Sequence, residues 1–348
     1  MPRPGALNLI TDIPGLTVGN VTDEVAATGV TTLFCPGGWR AGADVRGGGP
    51  GLRETEVLSA ENLVGRAHAI VLAGGSVFGL AAADGVTAAL SARGEGLVMR
   101  PGLTPVPIVP SAILFDLGGE GDKGWGLEPP YRRLGLASVA EAGQRFALGS
   151  VGAGRGALAG VVKGGLGSAS LDLGGGLIVG ALAAVNSVGS VLMADGETFW
   201  AWPFEIEGEF GGRRPAADIA PAIEPIPEQS KLAALGRVAP GANTTLAVVA
   251  CSADLTTAEC KRLAMMAQDG LSRAIRPAHT PFDGDTVFAV ASGEIALGAD
   301  LARAAQLARL GAAAADCLAR AIARGVFEAR RGWNEQPSPS PQTGRTLL

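Results

Sequence analysis

Only two histidines, His68 and His279, occur in 348 residues, and neither has neighbours at metal-ligand spacing. No metal and no cofactor are therefore expected. The four cysteines, Cys35, Cys251, Cys260 and Cys317, are scattered and form no C-x-x-C. That argues against a zinc ribbon or a dithiol redox site, and reads as reduced, mostly buried thiols of a cytoplasmic protein. No apolar run reaches the roughly 18 residues that span a bilayer. The longest, around 177–193, is broken by Gly180, Asn186 and Gly189. The opening "MPRPGALNLITDIPGL" lacks a continuous apolar segment, so neither a signal peptide nor a membrane partner is expected. The formal net charge is −5 and no basic stripe stands out, which argues against nucleic acid as a partner.

Glycine and apolar residues are plentiful instead. The 53 glycines have no three-residue period, which excludes collagen. They suit tight turns and close approach between layers. "GLTVGNVTD" and "GVTTLFCP" read as strands, and "DVRGGGPGLRETEVL" as a glycine-rich loop entering a helix near Arg53. "AHAIVLAGGSVFGLAAADGVTAALSAR" reads as strand, turn and helix, with Ser76 as a candidate cap. "VPIVPSAILFDL" reads as a further strand, and "LASVAEAGQRFAL" has helical periodicity. Residues 199–240, rich in Pro, Ala and acid, read as an extended surface segment or linker. Beyond them the expected order is strand 245–251, helix 255–275, strand 286–291 and helix 299–324. The tail 335–348 reads as disordered. The whole chain, 1–348, is taken as one layered α/β (α+β) domain.

Few segments carry chemistry. "GRGALA" at 154–159 matches G-x-G-x-x-A but lacks a clean βαβ context, so a dinucleotide is not expected. "GANTTLAVVA" puts Asn243, Thr244 and Thr245 at the mouth of an apolar strand. One reading is turn chemistry. The other is a chain that cuts itself before Thr244, leaving a hydroxyl nucleophile beside its own α-amine. In "FDGDTVFAV", Asp283 and Asp285 lie two apart, and an extended backbone puts both on one side. They are turn caps or an orienting pair. Asn186 interrupts an apolar strand, as a structural amide or an oxyanion donor. Lys163 is a lone cation among small residues, which either snorkels to water or polarises a carbonyl. His279 is read as a local hydrogen-bonding residue, with a general base as the alternative.

These segments, with "VLAGGSVFGLAAADGV", "AVNSVG" and "AIRPAHTPFDGDTVFAV", occur in an order that resembles a known family over nearly the whole chain. It is that of the self-processing N-terminal-nucleophile aminopeptidases: L-aminopeptidase/D-amidase–esterases, β-peptidyl aminopeptidases and nylon-oligomer hydrolases. Threonine with a double aspartate looks most like the nylon-oligomer branch. The resemblance implies a four-layer α/β/β/α sandwich and a cut between Asn243 and Thr244, giving chains 1–243 and 244–348. It implies Thr244 as nucleophile, supported by Asp283 and Asp285, with Lys163 and Asn186 in processing and catalysis. It also implies a homo-oligomer of processed heterodimers, often four, and small amide substrates: amino-acid amides, short peptides or 6-aminohexanoate oligomers. Phe115 stands where that branch carries a tyrosine. Tyr131, the only tyrosine here, is the one candidate for its place in the substrate pocket. An acyltransferase resembling ornithine acetyltransferase and a non-enzymatic ligand-binding protein are the alternative functions.

Overall fold

The computed structural model describes residues 2–219, 223–233 and 243–334. The strands are β1 (Thr17–Asp23), β2 (Thr28–Val45), β3 (Leu52–Arg53), β4 (Arg66–Ala73), β5 (Ser111–Ile113), β6 (Leu158–Ala159), β7 (Val162–Lys163), β8 (Gly165–Asp172), β9 (Ile178–Asn186), β10 (Thr244–Ala253) and β11 (Thr286–Ile295). The helices are α1 (Ala82–Ala92), α2 (Tyr131–Ser138), α3 (Thr257–Ala274) and α4 (Asp300–Asn334). One hydrogen-bonded path runs β3-β5-β4-β2-β11-β10-β9-β8, with β1 paired to β2.

The path doubles back on itself, and β2 is the reason. Its first half pairs with β1 and β4, and Arg40 onward pairs with β11. Between them the register breaks at Phe34/Trp39, where Gly37 and Gly38 take positive φ. Glycine adopts that conformation without steric cost, so the ribbon bends there. The two halves then face each other. Leu246, Val248, Ala250, Leu182, Phe288 and Val290 of one half pack against Leu33, Ile70 and Leu72 of the other. The alternate positions Ala247, Val249 and Cys251 pack outward with Leu263, Leu271, Leu318 and Ile322 of α3 and α4. On the far side, Val30, Ala69 and Val71 pack with Val86 and Leu90 of α1 and Leu134 of α2. Three cores between four layers make the α/β/β/α sandwich. The period-2 alternation of β10 buries it on both faces, which is why it reads as a continuous apolar run.

Helix α4 lies close on β8. A Cβ added to Gly167 would stand 1.9 Å from the carbonyl oxygen of Ala321. Gly167→Ala must push the helix away, and overpacking of this kind costs about 3 kcal/mol. The expected result is a Tm several degrees lower in a thermal melt, and an unchanged Tm would show that α4 gives way freely.

Some local expectations are corrected. The segment at Arg53 is strand β3 followed by a 3-10 turn, Glu56–Leu58, not a helix. Ser76 caps nothing: it opens a 3-10 turn, Ser76–Ala81, at φ 52°, and α1 starts only at Ala82. Pro107 and Pro110 lack the N–H a strand needs, and "VPIVPSAILFDL" is extended in the sheet only at Ser111–Ile113. Helical periodicity in "LASVAEAGQRFAL" misleads, because α2 ends at Ser138 and Gly143 pairs with Val18 instead. Residues 199–219 are no linker. Phe199 and Phe210 are buried edge-to-face with each other, and Phe327 of α4 closes on Phe199. The expected disordered tail, 335–348, lies outside the described residues, as do residues 234–242.

Candidate active site

Strand β10 begins at Thr244, directly opposite Asn186, the last residue of β9. Both are almost fully buried. Thr244 lies on the inter-sheet face with Leu246 and Val248. Its Oγ1 hydroxyl donates to the carbonyl oxygen of Asn243, the carbonyl of the peptide joining the two residues. The same oxygen accepts the backbone N–H of Gly284 at 2.8 Å. A hydroxyl thus sits against a carbonyl that is already polarised by a fixed donor.

Glycine at 284 is what admits the hydroxyl. A Cβ there would come 2.7 Å from Thr244 Oγ1 and 2.8 Å from the Gly49 carbonyl oxygen. The glycine-rich loop after β2 backs this turn. Gly49 N–H donates to the Asp283 carbonyl at 2.7 Å, and Arg46 N–H to that of Asp285 at 3.0 Å. Gly284→Ala is therefore expected to stop any reaction at the 243–244 bond while the sandwich still folds. Intact mass and circular dichroism of the purified variant check this, and a variant that behaves as wild type would remove the steric argument.

Asp283 and Asp285 are both buried. Asp285 Oδ1 accepts the backbone N–H of Thr245 at 2.8 Å, and Oδ2 accepts that of His279 at 3.0 Å, with the His279 Nδ1 atom 2.9 Å away. Asp283 Oδ1 accepts the Val188 N–H at 3.1 Å, while Oδ2 takes the N–H and hydroxyl of Thr280 at 3.1 and 2.6 Å. Asp285 thus tethers the backbone just after Thr244, while Asp283 ties the 280–283 turn to Val188. Burial, and then the neighbouring Asp285 charge, push the Asp283 carboxyl up to about 6.

A cavity of about 460 Å³ opens at Asn243, lined among others by Phe115, Asp116, Leu158, Asn186 and Lys231. Asn186 braces its wall: Oδ1 accepts the Leu158 N–H at 2.9 Å and Nδ2 donates to the Phe115 carbonyl at 3.0 Å. Phe115 lines the cavity. Tyr131 is not among its lining residues. It is fully buried, and its hydroxyl donates to Thr28 Oγ1 at 3.2 Å. Thr28 in turn donates to Asp116 Oδ2 at 2.5 Å, so Tyr131 reaches the cavity only through two other side chains. Burial raises the Asp116 carboxyl above the usual range.

Lys163 lines an adjoining cavity of about 430 Å³ with Arg155 and Arg330, and the two cavities share Gly119, Gly156, Leu158 and Val161. Its ammonium donates to the Arg155 carbonyl at 2.7 Å, and burial lowers its pKa. The "GRGALA" segment forms a 3-10 turn and the start of the β6–β7 hairpin in these walls, not a βαβ turn.

Lys231 was not singled out in the sequence. Its Nζ donates to the Leu158 carbonyl at 2.7 Å and to Asn243 Oδ1 at 2.8 Å. Burial pushes it down to about 7, against the opposing pull of Asp283. It sits in the Pro- and acid-rich segment, where one lysine carries no pattern. Among the described residues no group of three or more His, Cys, Asp or Glu could hold a metal ion. The four cysteines are free and buried, and among the described residues no helix is long and apolar enough to cross a membrane.

The model of peptidase family S58 matches residues 8–335. An uncharacterized aminopeptidase of Mycobacterium tuberculosis is 44% identical over 339 residues, covering 93% of this chain and 95% of that one. A 6-aminohexanoate-oligomer endohydrolase of Kocuria is 32% identical, over 82% of this chain and 75% of that one. Among solved structures, the L-aminopeptidase D-Ala-esterase/amidase of Ochrobactrum anthropi, described as a variant of the Ntn hydrolase fold, superposes with a TM-score of 0.68. Its identity is 19%, over 94% of this chain and 88% of that one. A Burkholderia β-aminopeptidase gives a TM-score of 0.66 at 22% identity, over 93% of this chain and 88% of that one.

Proposed function

The chain belongs to peptidase family S58, and from that membership we propose that it is a self-processing amide hydrolase with Thr244 as its nucleophile. One observation carries this reading: the Thr244 hydroxyl lies against the Asn243 carbonyl, whose oxygen Gly284 N–H already holds. Attack by Oγ1 on that carbon forms a C–O bond, and the negative charge developing on the carbonyl oxygen falls on the Gly284 donor. The C–N bond then breaks, and the hydroxyl proton goes to the departing Thr244 nitrogen. Water hydrolyses the ester, freeing the Asn243 carboxylate and regenerating the Thr244 hydroxyl beside the new α-amine.

That amine has an unperturbed pKa of about 7.7–8.0, so a useful fraction is neutral near pH 7–8. It takes the hydroxyl proton when Oγ1 attacks a substrate amide. The acyl residue then occupies the cavity beside Asn186, Phe115 and Lys231, and water releases it. Relatives called aminopeptidase and 6-aminohexanoate-oligomer endohydrolase support short amides and linear oligomers as the substrate class. A peptidase family also favours hydrolysis over acyl transfer and over mere binding.

The test is intact mass spectrometry of purified protein, followed by a panel of amino-acid amides, β-peptides and 6-aminohexanoate oligomers. Two chains are expected, the smaller beginning Thr-Thr-Leu. A smaller chain beginning at Thr245, or a stable uncut wild type without amidase activity, would overturn the reading.

The two chains should stay together. Strands β10 and β11, from beyond the cut, lie between β9 and β2, from before it. Separation would expose both faces of the central sheet. Native size exclusion should give one species containing both chains, larger than a single heterodimer. Free 1–243 in native buffer would contradict the shared core.

A further inference from the structure

We propose that Lys231 is a positioning residue for self-cleavage: it grips the side chain of Asn243 and so sets the scissile carbonyl against the Thr244 hydroxyl. The inference rests on the Thr244 reading above and adds a second holding point to it. Gly284 N–H holds the main-chain oxygen of residue 243 at 2.8 Å, and Lys231 Nζ holds its side-chain oxygen at the same distance. Two fixed contacts on one residue restrict rotation about its backbone, where one alone leaves the carbonyl plane free to turn.

Lys231 is itself anchored at both ends. Its backbone N–H donates to the Val188 carbonyl at 2.9 Å, and the Val188 N–H donates to Asp283 Oδ1 at 3.1 Å. The Ser230 hydroxyl donates to the same Val188 carbonyl at 3.1 Å. At the other end, Nζ also donates to the Leu158 carbonyl, on the segment whose N–H is braced by Asn186. The lysine therefore connects the Asp283 side of the site to the cavity wall and holds Asn243 from the same ammonium. A half-buried chain with so few degrees of freedom left has already lost most of its rotamer entropy before the reaction.

While it is protonated, Lys231 makes a charge-assisted hydrogen bond to the amide oxygen, about twice as strong as a neutral one. Its loss from the attacking geometry is expected to slow cleavage about 10- to 100-fold. A residue acting through Asn243 must also show coupling to Asn243, which a residue that merely supports the fold would not.

The experiment times self-cleavage of the full chain after synchronised cell-free synthesis, by denaturing electrophoresis. Lys231→Met and Asn243→Ala are each expected to slow cleavage about 10- to 100-fold, and the double variant to be no slower than the slower single one. Lys231→Arg, which keeps a cationic donor, should recover part of the rate. Cleavage of Lys231→Met at the wild-type rate, or slowing factors that multiply in the double variant, would overturn the proposal. If Lys231→Met yields no folded chain, Asn243→Ala decides, because wild-type cleavage in that variant alone is incompatible with a grip on Asn243. Thr244→Ala, run alongside, separates the two readings: if it is cut, the nucleophile assignment fails; if it stays whole while Lys231→Met cuts normally, only the role of Lys231 fails.

Discussion

Thr244→Ala should purify as a single uncut chain with no measurable amide hydrolysis. Removing the hydroxyl deletes both the attack on Asn243 and the later attack on substrate. Losses of nucleophiles in acyl-transfer enzymes run to about 10⁴-fold or more in kcat. The fold should survive, because the substitution removes a hydroxyl and a methyl at the end of β10 while Leu246, Val248 and Val249 keep their packing. Thr244→Ser is the control: it keeps Oγ and should still cut. Mass spectrometry and a single amide assay decide the matter. A cut Thr244→Ala chain, or an active one, would move the nucleophile elsewhere.

Asp285→Ala should abolish processing by a different route. Its carboxylate accepts the N–H of Thr245 and of His279. Each buried donor left unpaired costs about 1–3 kcal/mol, and the residue after Thr244 loses its tether. Cleavage at least 100-fold slower is expected, with a lower Tm in the same sample. Asp285→Asn should be intermediate, since its amide oxygen can replace one acceptor but its NH2 meets a donor. Normal cleavage in both variants would reduce the carboxylate to turn structure.

Asp283 adds a pH signature to the uncut chain. A carboxyl raised above its unfolded value favours the native state when protonated. Its contribution is present below the unfolded pKa, about 4, and is lost as pH rises through about 6. In the Thr244→Ala background, Asp283→Asn should remove that loss, so the Tm difference between the two proteins should shift in favour of the Asn variant from pH 4 to pH 7. Calorimetry at fixed ionic strength measures it. A difference that is flat, or that shifts the other way, would mean that Asp283 is ionised at no cost in its site.

The sequence by itself determined which hydroxyl, carboxylates and amide stand out and the strands that carry them. The run from Thr245 to Ala250 can only be a strand buried on both faces, and β10 is one. "FDGD" is legible as two carboxylates around a glycine because local spacing places them. The expected helix 255–275 is α3, which starts at Thr257 behind a Thr256–Glu259 capping box. Short-range rules reach that far. They fail where a residue's conformation depends on a distant partner: Gly143 leaves its helical pattern to pair with Val18, and Phe199 and Phe210 leave a linker-like composition to pack on each other.

Only the tertiary structure decided how these groups meet. The parallel pairing of β10 with β11, joined through α3, puts Asp283 next to Asn243, forty residues away. It explains why residue 284 is glycine, since the Thr244 hydroxyl occupies the space of its side chain. It sets Tyr131 behind Thr28 and Asp116, sets Lys163 in the next cavity, and brings Lys231 from a segment without periodicity onto the side chain of Asn243. No pattern along the chain encodes such a contact. Burial lowers the lysine's pKa, and burial belongs to the assembled layers rather than to its neighbours in sequence.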